Sequence, residues 1–157
     1  VDVVRPQAAE LSISIGVEMP PGLGGLAAGR VYPALLNGLR NAVEAIVRCD
    51  GPGEIRVRAA IDATDRIVLE VIDDGVGAPE GAEADRVFEP GRSTKPGGSG
   101  LGLALTRSLL SEMGGSAELR PRAERAGASR PGAVLSLVFP KPVDAGAIVI
   151  GRRETGP

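Results

Sequence analysis

The stretch FEPGRSTKPGGSGLGLAL, residues 88–105, is dense in glycine and proline and passes directly into an apolar, helix-like segment. A glycine-rich turn that opens a helix directs unpaired backbone N–H groups and the positive end of the helix toward any nearby anion. The side chains just before the turn, two cationic and two hydroxyl, also suit phosphate: Arg92, Ser93, Thr94 and Lys95. Neither a P-loop pattern nor a dinucleotide fingerprint after a strand is present. Taken alone, the stretch fits a phosphate-binding loop or a flexible connector.

The chain on either side of this stretch has clear hydrophobic periodicity. Residues 101–113 have helical spacing, with apolar side chains along one stripe: Leu101, Leu105, Leu109 and Met113. Alternating segments at 116–121 and 133–140 predict a closing strand pair. Residues 74–98 are rich in glycine, proline and charge and are predicted to be irregular, which indicates a functional or mobile loop.

Similar patterns extend toward the N-terminus. Residues 11–17 alternate as a half-buried strand, and 54–73 predict a hairpin. Between them, 31–48 is the clearest helix, with apolar and polar side chains on opposite faces. The order of elements predicts an α+β fold, a two-layer sandwich with helices on one face of a mixed sheet. The domain is expected to span 1–140, with 141–157 as a tail or linker.

Two asparagines, Asn37 and Asn41, lie four residues apart on the polar face of the 31–48 helix, so their amides project side by side. Asparagine is a mediocre helix former, and two in mid-helix call for a reason. An amide oxygen is a neutral, hard ligand suited to Mg²⁺, which completes its shell with water and phosphate oxygens. A solvated helix face is the alternative, and for this pair alone it is favoured by about two to one.

The motif DDGVG, residues 73–77, follows the second strand of the predicted hairpin. Asp73 ends that strand, where its carboxylate could accept a hydrogen bond from an amino group such as that of adenine. Gly75 and Gly77 allow close backbone approach to a ligand or positive φ. Asp-Gly turns are common, so the motif alone is weak.

The composition excludes several classes of function. Histidine is absent, which removes the commonest general base, Ser-His and Cys-His nucleophile pairs and histidine metal ligands. The net charge of −2 comes from mixed acids and bases, so no basic stripe indicates nucleic acid or an anionic membrane. A single cysteine, Cys49, fits a reducing, cytoplasmic setting. No apolar run approaches the ~20 residues of a membrane span. The start at Val1 indicates a piece of a longer protein.

Together, the four motifs occur in series and resemble the ATP-binding catalytic domain of bacterial sensor histidine kinases. These kinases belong to the GHKL superfamily, with gyrase, the MutL mismatch-repair ATPase and the ninety-kilodalton chaperone. NGLRNAVEA (37–45) resembles the N box, DDGVG the G1 box, FEPGRSTK (88–95) the F box and GSGLGL (98–103) the G2 box. The resemblance implies the Bergerat fold, with ATP between the helical layer and a mobile lid at 78–97.

The resemblance also implies roles for individual residues. Asn41 matches the Mg²⁺ ligand, Asn37 lies near the triphosphate, and Asp73 reads the adenine amino group in a pocket shaped by Gly75 and Gly77. In the lid and the G2 box, the residues implied to meet the phosphates are Arg92, Ser93, Thr94, Lys95, Gly98, Ser99, Gly100, Leu101, Gly102 and Leu103. Glu44 and Gly91 depart from the family pattern, which often has a basic or polar residue and an aromatic residue there. Glu44 is given no role.

Phosphoryl transfer is favoured over hydrolysis by one position. Hydrolases of the gyrase branch carry a general-base Glu four residues before the Mg²⁺-binding Asn, whereas this chain has Asn37, whose amide cannot take a proton from water. Transfer rests on positioning and charge neutralisation, which Mg²⁺, Asn37, Asn41 and Lys95 could supply. The implied partners are a helical dimerisation domain with the acceptor histidine and a downstream response regulator. An anti-sigma-factor-type serine kinase, a nucleotide-binding pseudokinase and a non-nucleotide interaction module remain as alternatives.

Overall fold

The computed structural model describes residues 1–21, 23, 29–92, 98–123 and 129–141. Helices and strands follow in this order: α1 (Arg5–Glu10), β1 (Ile13–Glu18), α2 (Tyr32–Val47), β2 (Gly53–Ile61), β3 (Arg66–Asp73), α3 (Ala82–Arg86), α4 (Gly102–Glu112), β4 (Ser116–Pro121) and β5 (Ala133–Pro140). Each predicted strand and both predicted long helices are present. Of the predicted tail, only Lys141 lies within the described residues.

The strands form one five-stranded sheet in the order β1-β2-β3-β5-β4. β1 pairs with β2 in parallel and every other pair is antiparallel, so the sheet is mixed, as predicted. Alternate residues along β2, β3 and β5 are buried, and the strand register places them on one face of the sheet. That face carries the core beneath the helices.

Helix α2 packs on this face at close range because Gly38 has no side chain. A Cβ at Gly38 would lie 2.8 Å from Leu135 Cδ2 and 3.3 Å from Val71 Cγ2. Neighbouring positions on the same side of the helix, Leu35 and Leu39, are fully buried. The close approach fixes the distance of α2 from the sheet, and with it the position of the half-buried asparagines on the flank of the helix.

Two expectations about helices need correction. The apolar stripe of α4 is only partly buried: Leu101 and Leu105 are 45% and 61% exposed, Leu109 and Met113 pack against the core, and the most buried side chains, Thr106 and Leu110, lie beside the stripe. The stretch 74–98 is not wholly irregular, because α3 forms within it. No buried residue lies in α3, and Glu83 and Arg86 pair along it. Within the described residues, no helix is both long and apolar enough to cross a bilayer.

Candidate functional site

Helix α2 brings together the segments that the sequence motifs single out. Asn37 Nδ2 donates a hydrogen bond to the Gly102 carbonyl at the start of α4, 3.2 Å away. Two turns further along α2, the Ala45 carbonyl accepts the N–H of Val76 at 3.3 Å. Asn41 lies one turn from each of these contacts, half-buried. The predicted metal ligand therefore lies between the loop after β3 and the start of α4.

The loop after β3 can reach α2 because Gly75 has no side chain. A Cβ at Gly75 would lie 2.6 Å from the Ala45 carbonyl carbon and 2.8 Å from its oxygen. Gly77 adopts a φ of +89° and lies against Pro131. Both glycines are thus required by local geometry: Gly77 by its positive φ, which the sequence motif predicted as one possibility, and Gly75 by its contact with α2.

Asp73 is the buried ionisable group of this region. Its side chain lies on the helix-covered face at the end of β3, and the residue is 6% exposed. Burial raises its pKa from the usual 3.8 to about 6. Hydrogen bonds from the N–H groups of Gly75, at 2.9 Å to Oδ1, and Ala133 act in the opposite direction. A carboxylate has room for further donors beyond these two.

A tight neck joins the F-box and G2-box segments. The Gly91 N–H donates to the Gly100 carbonyl at 3.2 Å. Gly100 has a φ of +65°, and a Cβ there would lie 2.5 Å from the Gly91 carbonyl carbon and 2.7 Å from the backbone of Arg92. Gly91, which departs from the family pattern, has a φ of +79° and so uses the freedom that glycine supplies.

Alanine substitutions at Gly91 and Gly100 separate the cost of a left-handed φ from the cost of a steric clash with backbone. Both variants impose a left-handed φ on alanine, which costs about 1–2 kcal/mol. At Gly91 no described atom lies within 4 Å of the place that the new methyl group would take, whereas at Gly100 the methyl would meet backbone. Gly100→Ala is therefore expected to lower the free energy of unfolding by at least about 1 kcal/mol more than Gly91→Ala. Urea denaturation of both variants measures the difference. An equal loss of unfolding free energy in the two variants would contradict the close backbone contact at Gly100.

The structure pairs Arg92 with carboxylates. Its Nη2 lies 3.2 Å from Glu83 Oε2 and its Nε lies 3.6 Å from Glu89 Oε2. These partners are about half exposed, and such surface pairs are weak enough for a phosphate group to compete. The predicted contact of Arg92 with phosphates thus requires exchange of these partners. Ser93, Thr94 and Lys95 lie outside the described residues.

The predicted phosphate-binding turn leads into α4 with its polar groups near the surface. Gly98 and Ser99 are exposed, and Ser99 Oγ accepts the Leu101 N–H at 3.4 Å. Gly102 and Leu103 open the helix half-buried, and Gly102 contacts Asn37. Backbone N–H groups at such a helix start suit an anion.

Among the described residues, no group of three or more His, Cys, Asp and Glu side chains is placed to hold a metal ion. For Mg²⁺, a single amide oxygen can suffice as the protein ligand, because this ion keeps several waters and substrate phosphate oxygens in its shell. Asn41 is the candidate for that ligand.

Two arginines of the loop that precedes β5 were not singled out from the sequence. Arg122 and Arg130 belong to the β4–β5 loop, which reaches the segment after β3 through a hydrogen bond from the Gly132 N–H to the Gly75 carbonyl, 3.0 Å. These contacts join positions far apart in the chain and follow no local pattern. In the sequence, Gly132, which directly precedes β5, is the one indication that two backbone segments approach closely at this point.

Comparison with known proteins gives a consistent result. Residues 27–143 match the family described as Histidine kinase-, DNA gyrase B-, and HSP90-like ATPase. The nitrogen regulation protein NtrY of Azorhizobium caulinodans is 39% identical over 116 residues, 71% of this chain and 15% of NtrY. The sensor histidine kinase ZraS of Salmonella typhimurium is 39% identical over 92 residues, 58% of this chain and 19% of ZraS. The chain therefore spans less than a fifth of these two relatives.

Solved structures agree with these sequence relatives. The mycobacterial sensor histidine kinase MprB superposes with a TM-score of 0.72 at 27% identity, covering 88% of this chain and 87% of that one. Full-length ShkA, solved in complex with AMPPNP, superposes with a TM-score of 0.68 at 28% identity, covering 88% of this chain and 28% of that one. The expected Bergerat-type sandwich is confirmed, and the chain belongs to the family of histidine kinase-, DNA gyrase B- and HSP90-like ATPases.

Proposed function

We propose that this chain is the ATP-binding catalytic domain of a sensor histidine kinase, which binds Mg-ATP and donates the γ-phosphate to a histidine on a separate helical domain. The observation that carries the proposal is the position of α2, which contacts the start of α4 through Asn37 and the loop after β3 through Ala45. Both flanks of a nucleotide site are thus fixed to one helix. The matched relatives named above as sensor histidine kinases favour this function over the serine-kinase and interaction-module alternatives.

Nucleotide binding divides between two ends of this site. At one end, the Asp73 carboxylate accepts a hydrogen bond from the adenine amino group, while Gly75 and Gly77 keep the backbone close to the base. At the other end, the N–H groups from Gly98 to Leu103, with Lys95 and Arg92, hold the phosphates. Asn41 supplies the amide oxygen for Mg²⁺, which neutralises phosphate charge when bound.

Asn37 has a role that differs from that of a hydrolytic base. Its amide nitrogen already donates to the Gly102 carbonyl, so the side chain fixes the helix start that faces the phosphates. An amide has no basic site for a water proton at neutral pH. The γ-phosphate is therefore positioned for an external acceptor, and water is not activated by this residue.

The acceptor domain needs a surface to dock on, and α4 provides a candidate. Leu101 and Leu105 project from its first turns, exposed, close to the Asn37–Gly102 contact. Apolar side chains in such a position are suited to cover by a partner's apolar helix. We assign this face to the helical dimerisation and phosphoacceptor domain of the parent protein, inside the cell and upstream of a response regulator.

The transfer itself tests the function. This chain is mixed with the histidine-bearing helical domain of the protein that contains it, Mg²⁺ and γ-labelled ATP. Acid-labile label on the helical domain is the expected result, and the chain itself stays unlabelled on histidine because it has none. ATP binding without transfer would overturn the kinase assignment and leave a nucleotide-binding module. Acid-stable label on serine would instead support the serine-kinase alternative.

Asn41→Ala is expected to reduce phosphotransfer by about tenfold to a hundredfold, the range found when support for a bound metal is lost. The loss arises from the Mg²⁺ shell, so ADP affinity measured with EDTA should change little. Calorimetry with and without Mg²⁺ separates the two effects. Arg40→Ala, on the exposed side of the same helix, is the control for general damage to α2. Equal weakening of nucleotide binding with and without Mg²⁺ would contradict the metal role.

A further inference from the structure

The β4–β5 loop is fastened to the far end of α2 by one side chain. Arg130 donates from Nη2 to the Asp50 carbonyl at 2.8 Å and from Nη1 to the Pro52 carbonyl at 3.0 Å. A guanidinium that bridges two backbone carbonyls in this way fixes both segments relative to each other. The loop is therefore tied to the α2–β2 connection although the two are distant in sequence.

A second arginine of the same loop continues this chain of contacts. Arg122 Nη2 donates to the Arg130 carbonyl at 3.0 Å, and the Arg122 backbone N–H donates to the Gly132 carbonyl at 3.1 Å. Its Nε is buried, and among the described residues it finds no hydrogen-bond acceptor. Because the surroundings have a low dielectric constant, the positive charge of this buried guanidinium is only weakly screened and acts on nearby charged groups.

Gly132 lets this guanidinium lie beside the strand end that carries Asp73. A Cβ at Gly132 would lie 2.8 Å from Arg122 Nε, 3.0 Å from its Cζ and 2.3 Å from the Asp73 carbonyl oxygen. The next residue, Ala133, is the cross-strand partner of Asp73. Arg122 thus runs across the start of β5 toward the end of β3.

We propose that Arg122 is a positioning residue for nucleotide binding: its fixed guanidinium, beside the end of β3, favours the ionised form of Asp73 that accepts the adenine amino hydrogen bond, and Arg130 holds Arg122 in place. The inference rests on the proposed adenine role of Asp73. It adds a residue outside the four motifs, and it makes the β4–β5 loop part of the base-binding end of the site.

The charges around Asp73 support this role. Burial raises the pKa of Asp73 most strongly and Asp74 adds to the rise, whereas the N–H groups of Gly75 and Ala133 lower it and the positive charge of Arg122 lowers it further. Arg130 is directed to the carbonyls of the α2–β2 connection. The other ionisable side chains on the elements packed nearby are Glu44 and Arg48 of α2, both exposed, and Glu54 and Arg56 of β2, which pair with each other.

ADP affinity is measured between pH 5 and pH 8 for the wild type, Arg122→Gln, Arg122→Lys and Arg120→Gln. Loss of the Arg122 charge is expected to move the acidic limb of binding to higher pH, so Arg122→Gln binds about two- to fivefold more weakly at pH 6 and nearly as well as wild type at pH 8. Arg122→Lys, which keeps the charge, stays close to wild type. Arg120 pairs with Glu70 and serves as the control. Ionisation of ADP itself is the same for every variant.

A purely structural role predicts a different pattern: Arg122→Gln and Arg122→Lys would lose affinity equally at every pH, and that result overturns the inference. If Arg122→Gln does not fold, carboxyl ¹³C titration of Asp73 in Arg130→Gln decides, because loosening Arg122 should raise the titration midpoint. An unchanged midpoint overturns the inference. Failure of the proposed adenine role is distinguishable, since Asp73→Asn would then leave ADP affinity unchanged whatever the Arg122 variants do.

Discussion

Asp73→Asn is expected to weaken ADP binding by about 1–3 kcal/mol, roughly 5- to 150-fold in the dissociation constant. The substitution keeps the size of the side chain but replaces a charged acceptor by a neutral amide. In one of its two orientations, the amide places an NH₂ donor toward the adenine amino group, which cannot accept a hydrogen bond. Because Asp73 is buried, water cannot substitute for the lost acceptor. Calorimetric titration at pH 8, where the carboxylate is ionised in the wild type, measures the change.

Asp74→Asn is the matched control for this measurement. Asp74 directly follows Asp73, but its Oδ1 accepts the Glu54 N–H at 2.9 Å and so is directed to β2. ADP affinity should therefore stay near that of the wild type in the Asp74 variant. If both variants bind ADP as the wild type does, Asp73 does not read the base.

The same Asp73→Asn substitution is expected to stabilise the folded protein at neutral pH without ligand. The folded-state pKa of Asp73, about 6, is raised above the ordinary 3.8. Stability from this group is thus full below about pH 3.8 and is lost as the pH rises through about 6. The difference between the two pKa values corresponds to about 3 kcal/mol, an upper bound because asparagine also loses charged hydrogen bonds.

Urea denaturation from pH 4 to pH 8 measures this linkage. The difference in unfolding free energy between Asp73→Asn and the wild type should be small near pH 4 and grow in favour of the variant up to about pH 7. Saturating ADP should reduce the stability advantage of the variant at pH 8 by about 1–3 kcal/mol, because the wild type gains the larger binding free energy. A difference that does not vary with pH would show that Asp73 titrates normally.

The sheet and the long helix α2 could be predicted from the sequence because their burial patterns are local. Ile67, Leu69 and Val71 alternate with partly exposed residues along β3, which is the pattern seen in the sequence. The pairing and direction of the strands could not be predicted in the same way. Alternation predicts that Ile13–Glu18 is a strand but carries no information that β1 pairs with β2 in parallel.

Helices α3 and α4 show where periodicity is insufficient. A leucine stripe usually marks the buried side of a helix, but the stripe of α4 begins with two exposed leucines, and the most buried side chains of the helix are Thr106 and Leu110. Periodicity cannot distinguish burial within the chain from a surface that awaits a partner. The short helix α3 has no apolar period at all, and its visible support is ion pairing such as Glu83 with Arg86.

Within the candidate site, the sequence singled out residues in compact motifs and did not single out residues joined by long-range contacts. Asn37, Asp73 and Gly75 stand in short patterns with a chemical reason for their spacing. Arg130 meets Asp50 and Pro52 about eighty positions away, and the intervening chain gives no sign of that contact. Such tertiary contacts depend on the completed sheet, which brings β5 beside β3.

The neck between Gly91 and Gly100 has a consequence for the length of the segment that it closes. Once both ends of a loop are held, the entropy of closing it rises only with the logarithm of its length, about 0.6 kcal/mol for each doubling. Residues inserted or removed within 93–97 should therefore alter the unfolding free energy little. The length of this segment can therefore change while the sheet and α2 stay the same.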